Sequence, residues 1–132
     1  MAKKVLIYNI GMLGDVLTTI PAHRAIRRHF GPDARLTLLQ LKVPEGRITP
    51  ADVLLPQGLV DGVISYERGG RLPLKELQSL VRLKMERFDS VCYLAPYPRS
   101  AKQVERDRTF FRLAGIREQI GFVGQDEAAY LK

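Results

Sequence analysis

The chain of 132 residues has a single cysteine, Cys92. One thiol excludes an internal disulfide and any zinc site built from thiolates. It stands in "DSVCYLAP", which reads as a buried strand and so as a small core hydrophobe rather than a nucleophile. Aromatic residues make up only 8% and do not interleave with the basic ones, which argues against a nucleic-acid stacking platform. No stretch approaches the roughly 20 apolar residues of a membrane span. "MAKKVLIYNIG" has a basic start and a short apolar run but no cleavage-like tail, so it reads as a first strand and the chain as cytoplasmic.

The common signatures of cofactor and nucleophile chemistry are missing too. There is no G-x-x-x-x-G-K-[ST], no G-x-G-x-x-G, no serine elbow and no D-x-D pair for a metal-bound sugar nucleotide. His23 and His29 lack partners at metal spacing and read as structural or surface residues. The expectation is therefore no metal and no cofactor bound by these residues.

What is present is an alternation. Apolar strands are expected at 4–10, 35–41, 61–67, 89–95 and 118–123. Helices are expected at 15–30, closed by Gly31-Pro32, from Pro73 to Arg87, and from Ser100 to Ala114 with Gly115 as cap. Residues 42–60 are irregular, with a short helix at 51–55. In the helix beginning at Pro73, Leu74, Leu77, Val81, Met85 and Phe88 fall on one face. The first helix has two apolar phases, Val16-Leu17-Ile20 and Ala22-Ala25-Ile26-Phe30, with Pro21 between them. An interior proline loses a hydrogen bond and clashes with the preceding turn, so a kink is expected, the first turn packed deep. Strand-helix alternation of this kind predicts an α/β Rossmann-like, doubly wound parallel sheet of about five strands in order 3-2-1-4-5. Ligands of such sheets bind beyond the strand carboxyl ends at the switch point, between the turns after strands 1 and 4.

Two segments there could carry chemistry. "IYNIGMLGDVLTT", residues 7–19, ends a strand in G-x-x-G-D and opens a helix. Asp15 reads either as a helix cap in the favourable field of the helix N-terminus or as a general base at the cleft mouth. An anion at this turn would meet Asp15; Gly11 and Gly14 suit instead the approach of a neutral group such as a sugar hydroxyl. "APYPRSAKQVERDR", residues 95–108, has Pro96 and Pro98 stiffening a loop before Arg99 and Ser100. Arg99, Lys102 and Arg106 share a helix side, either as anion-binding cations or as a solvated face balanced by Glu105 and Asp107. Charge favours an anionic partner: Lys and Arg outnumber Asp and Glu 21 to 14, and residues 68–117 hold 12 of the basic and 5 of the acidic residues. A basic face of this kind could touch an anionic membrane surface. "RGGR", 68–71, reads as a flexible basic turn.

These motifs resemble glycosyltransferase family 9, the heptosyltransferase-like enzymes of lipopolysaccharide assembly. The resemblance rests on Gly14-Asp15-Val16-Leu17 and Thr19-Ile20-Pro21-Ala22, with support from "FDSVCYL", Arg99-Ser100 and "FFRLAGIREQIGF". It implies the amino-terminal, acceptor-binding half of a GT-B architecture and metal-independent transfer with inversion, with Asp15 as the base. Gly11, Gly14, Arg99, Ser100 and Lys102 would meet a glycan or glycolipid acceptor. The nucleotide-sugar donor would bind a carboxy-terminal domain absent from these 132 residues, so the isolated chain is expected to be inactive. Family members often carry a basic residue shortly before the first glycine, where Tyr8-Asn9-Ile10 stands here. The competing expectation is a stand-alone module binding an anionic small molecule or an acidic protein face.

Overall fold

The computed structural model describes residues 3–9, 17–42, 46–66, 74–94 and 101–121, with the side chains of 74–76 and 101 left aside. Its elements are β1 (Lys4–Tyr8), α1 (Ile20–Phe30), β2 (Arg35–Leu41), α2 (Pro50–Leu54), β3 (Gly62–Tyr66), α3 (Leu74–Glu86), β4 (Ser90–Tyr93), α4 (Ala101–Leu113) and β5 (Glu118–Ile120). The five strands form one parallel sheet in order β3-β2-β1-β4-β5, as the alternation predicts.

Each strand divides its side chains between two helical layers, because successive residues point to opposite faces. Val5 and Ile7 of β1 join Leu36, Leu38 and Cys92 under α1 and α2, with Ile26, Phe30 and Leu54. Leu6 and Tyr8 join Leu39, Ile64, Val91 and Tyr93 under α3 and α4, with Leu83, Val104 and Phe111. A right-handed crossover that steps leftward along the sheet must pass one face, and one that steps rightward the other. The helices therefore change face between β3 and β4, and the switch point lies between β1 and β4.

The first helix departs from expectation. Leu17 and Thr18 are helical, Thr19 is a turn, and α1 begins afresh at Ile20. Pro21 sits within the first two positions of α1, where its missing N–H has no intrahelical acceptor to lose. The helical path is interrupted at Thr19, beside the proline where a kink is expected. Of the apolar phase before the proline, Leu17 is 48% exposed, Ile20 packs against the core and Val16 lies outside the described residues. Gly31 and Gly115 end their helices as expected, at φ 88° and 84°, where a side chain would be strained.

The α3 face also needs correction. Leu83 is fully buried and Leu80 packs against the core, whereas Leu77, Val81 and Met85 are exposed. The helix carries two apolar faces, and the sheet takes the shorter one. Asp107 does not balance a solvated face: it is buried and accepts a 2.6 Å hydrogen bond from the Tyr93 hydroxyl.

The amino-terminal end of the sheet is fastened by Arg27. Its guanidinium donates to Ala34 O (3.0 Å) and Gly58 O (3.1 Å) and pairs with Asp61 at 2.9 Å, tying α1 to the entries of β2 and β3. Asp61 in turn accepts the Leu36 N–H at 2.8 Å. Partial burial pushes the Asp61 carboxyl up, but the Leu36 N–H and the nearby Arg27 and Arg35 charges outweigh it and hold it below its usual value. Arg27→Met keeps the apolar stem and leaves three acceptors short of a donor. It should lower unfolding free energy by about 2 kcal/mol in urea denaturation.

Candidate functional site

The carboxyl end of β1 is the best-fastened point near the switch. The Asn9 N–H donates to Leu39 O (3.3 Å) and the Leu94 N–H to Tyr8 O (2.8 Å), so both neighbouring ladders continue to the last described residues of the two strand ends. Beyond that point, Tyr8 and Asn9 point to opposite faces and are held in different ways.

On the α1 side, Asn9 is buried and its Nδ2 uses both protons. One goes to Thr19 Oγ1 and the other to His23 Nε2, each at 3.1 Å. Thr19 is the residue before α1 and makes no side-chain cap to its own helix. The three side chains thus join the last residue of the first strand region to the start of α1, across the connection that contains Asp15. Because Nε2 accepts, the His23 proton lies on Nδ1, which is buried with no partner. Burial pushes the His23 pKa down from 6.5 to about 4.

On the α3–α4 side, Tyr8 lies against Tyr93 with centroids 5.2 Å apart and planes 8° off parallel, and Phe111 meets it edge-on at 5.2 Å. Its hydroxyl is 3.2 Å from that of Tyr66, at the end of β3. Tyr93 is anchored by Asp107 from α4. Three tyrosines that end β3, β1 and β4 therefore form one ring-stacked, hydrogen-bonded rim at the carboxyl edge.

Of the residues expected to carry chemistry, Gly11, Gly14, Asp15, Arg99 and Ser100 lie outside the described residues, as does "RGGR". Lys102 is described and is exposed in the first turn of α4. Cys92 is buried, and burial with the Glu118 charge raises its pKa to about 11, so it remains a protonated core thiol. Among the described residues no group of three or more His, Cys, Asp or Glu could hold a metal ion, and no helix is long and apolar enough to cross a membrane.

Sequence reading missed the Asn9–Thr19–His23 tie and the Tyr93–Asp107 bond. Thr19 and His23 are spaced i, i+4, and Asn9 ends an apolar run, which was the available signal. Nothing in the sequence says that Asn9 returns to meet them.

Burial of His23 makes stability pH-dependent. His23 titrates near 6.5 when unfolded and near 4 when folded. Its contribution is complete above 6.5 and is lost as pH falls towards 4, because only the unfolded chain takes the proton. The loss across that window is about 3 kcal/mol. Glu118, held low by the Ser90 hydroxyl, and Asp61 act in a lower window, losing their contributions as pH falls below their ordinary values of 4.5 and 3.8. His23→Gln keeps an acceptor for Asn9 and cannot titrate. Urea denaturation of this variant from pH 7 to 4.5 should give a flatter profile than the parent; equal slopes would remove His23 as the cause.

No protein-family model and no curated protein matches the chain.

Proposed function

We propose that these residues form the acceptor-binding half of an inverting, metal-independent glycosyltransferase, with Asp15 as general base. The observation that carries the reading is the adjacency of β1 and β4 at the switch point, joined by the Leu94 N–H to Tyr8 O bond. The segments that contain Asp15 and Arg99 follow these two strands in the sequence. The resemblance of "GDVLTTIPA" to glycosyltransferase family 9 supplies the chemistry.

In that chemistry the Asp15 carboxylate takes the acceptor hydroxyl proton as the oxygen attacks the anomeric carbon. The bond from that carbon to the nucleotide diphosphate breaks from the opposite side, which inverts the centre. A carboxylate held ionised at a helix start is a weak base. It suffices because the hydroxyl becomes acidic only as its new bond forms. Gly11 and Gly14 would admit the hydroxyl, and Arg99, Ser100 and Lys102 would hold negative charge elsewhere on a glycan or glycolipid acceptor. The donor would be held by a second domain, so the 132 residues alone bind acceptor without turnover.

The test is Asp15→Asn in the protein that includes the donor domain. Turnover should fall by about 10²- to 10⁴-fold with the melting temperature little changed. Turnover near that of the parent would leave Asp15 only the role of helix cap. Salt-sensitive binding of a phosphorylated small molecule by the 132 residues, with no transfer by the longer protein, would favour the binding module instead.

A further inference from the structure

The second apolar face of α3 has no partner among the described residues. Leu77, Val81 and Met85 recur every four residues and are 54%, 49% and 77% exposed. They line an open groove with Gln78, Arg82 and Glu86. At 100° per residue, Lys84 lies on one flank of this stripe and Gln78 and Arg82 lie on the other. Leu80 and Leu83 meanwhile hold the helix to the sheet, so the stripe is displayed on a fixed element.

Charge says what covers it. Arg82, Lys84, Lys102, Arg106 and Arg112 are exposed on α3 and α4, and none has an ion-pair partner among the described residues. The exposed acids described on the two helices are already engaged: Glu86 with Lys4 at 3.5 Å and Glu105 with Arg108 at 3.7 Å. Leu113, 61% exposed, adds a further large apolar side chain to this layer. A second copy docked here about a two-fold axis would set these cations against themselves, which is costly. An apolar stripe between cations, on a helix lying flat along a domain, matches the interfacial mode of membrane contact.

We propose that the α3–α4 face docks on an anionic lipid bilayer, with Leu77, Val81 and Met85 entering the headgroup boundary and Arg82 and Lys84 meeting lipid phosphates. The proposal does not depend on the transferase reading.

The test is co-sedimentation of the 132-residue chain with phosphatidylcholine vesicles, with and without phosphatidylglycerol. Binding should need the anionic lipid and weaken with salt. Val81→Asp/Met85→Asp should reduce it by at least about tenfold. Arg82→Gln and Lys84→Gln should each reduce it about fivefold. All these positions are exposed, so circular dichroism and melting temperature should stay at parent values. Absence of binding to anionic vesicles, or binding untouched by the aspartate pair, overturns the proposal. So does a dimer seen by light scattering that the same pair converts to monomer, since the stripe would then belong to a second copy.

Discussion

One side-chain amide holds the carboxyl end of β1 to the start of α1. Asn9 must satisfy two donors inside the protein, and it does so only because Thr19 and His23 stand on the same side of a helix start. A buried amide without partners would cost about 1–3 kcal/mol, so the alternative conformations of this junction are penalised strongly. Pro21 stands at the first turn of α1, between the two residues that Asn9 meets. Thr19 and His23, spaced i, i+4, fall on one side of the chain there, and a proline is tolerated at a helix start because its missing N–H has no intrahelical acceptor.

Tyr8, one residue earlier, performs the matching task on the opposite face. Stacking against Tyr93 and edge contact with Phe111 replace the amide's hydrogen bonds, and Asp107 fixes Tyr93 from α4. The central strand is therefore clamped by polar bonding on one side and by aromatic packing on the other. Its position next to β4 places both clamps at the switch point of the sheet. Loops that follow a strand so held start from fixed points, which is the usual division of labour between scaffold and loops.

The two helical layers differ in what they leave outside. Arg27 uses its charge internally, on backbone carbonyls and Asp61, so the α1 layer is bound to the sheet partly by electrostatics. The α3–α4 layer is bound by Leu83, Val104 and Phe111 and leaves its cations outward, beside a second apolar stripe. Five of the basic residues in the latter half of the sequence, Arg82, Lys84, Lys102, Arg106 and Arg112, are thus exposed on these two helices.

The strand order, the helix ends at Gly31 and Gly115, and the buried fate of Cys92 were all legible in residue order alone. Each depends on local periodicity, backbone freedom or the handedness of crossovers, which a linear chain already contains. The face that α3 buries was not legible, because both of its stripes are apolar and only the sheet's position chooses between them. Asp107 looked like one more surface acid until Tyr93 arrived beside it. The partnership of Asn9 with Thr19 and His23 likewise exists only after β1 and α1 are laid together. Local preference shaped the elements; long-range contact decided which of their side chains became locks and which remained surface.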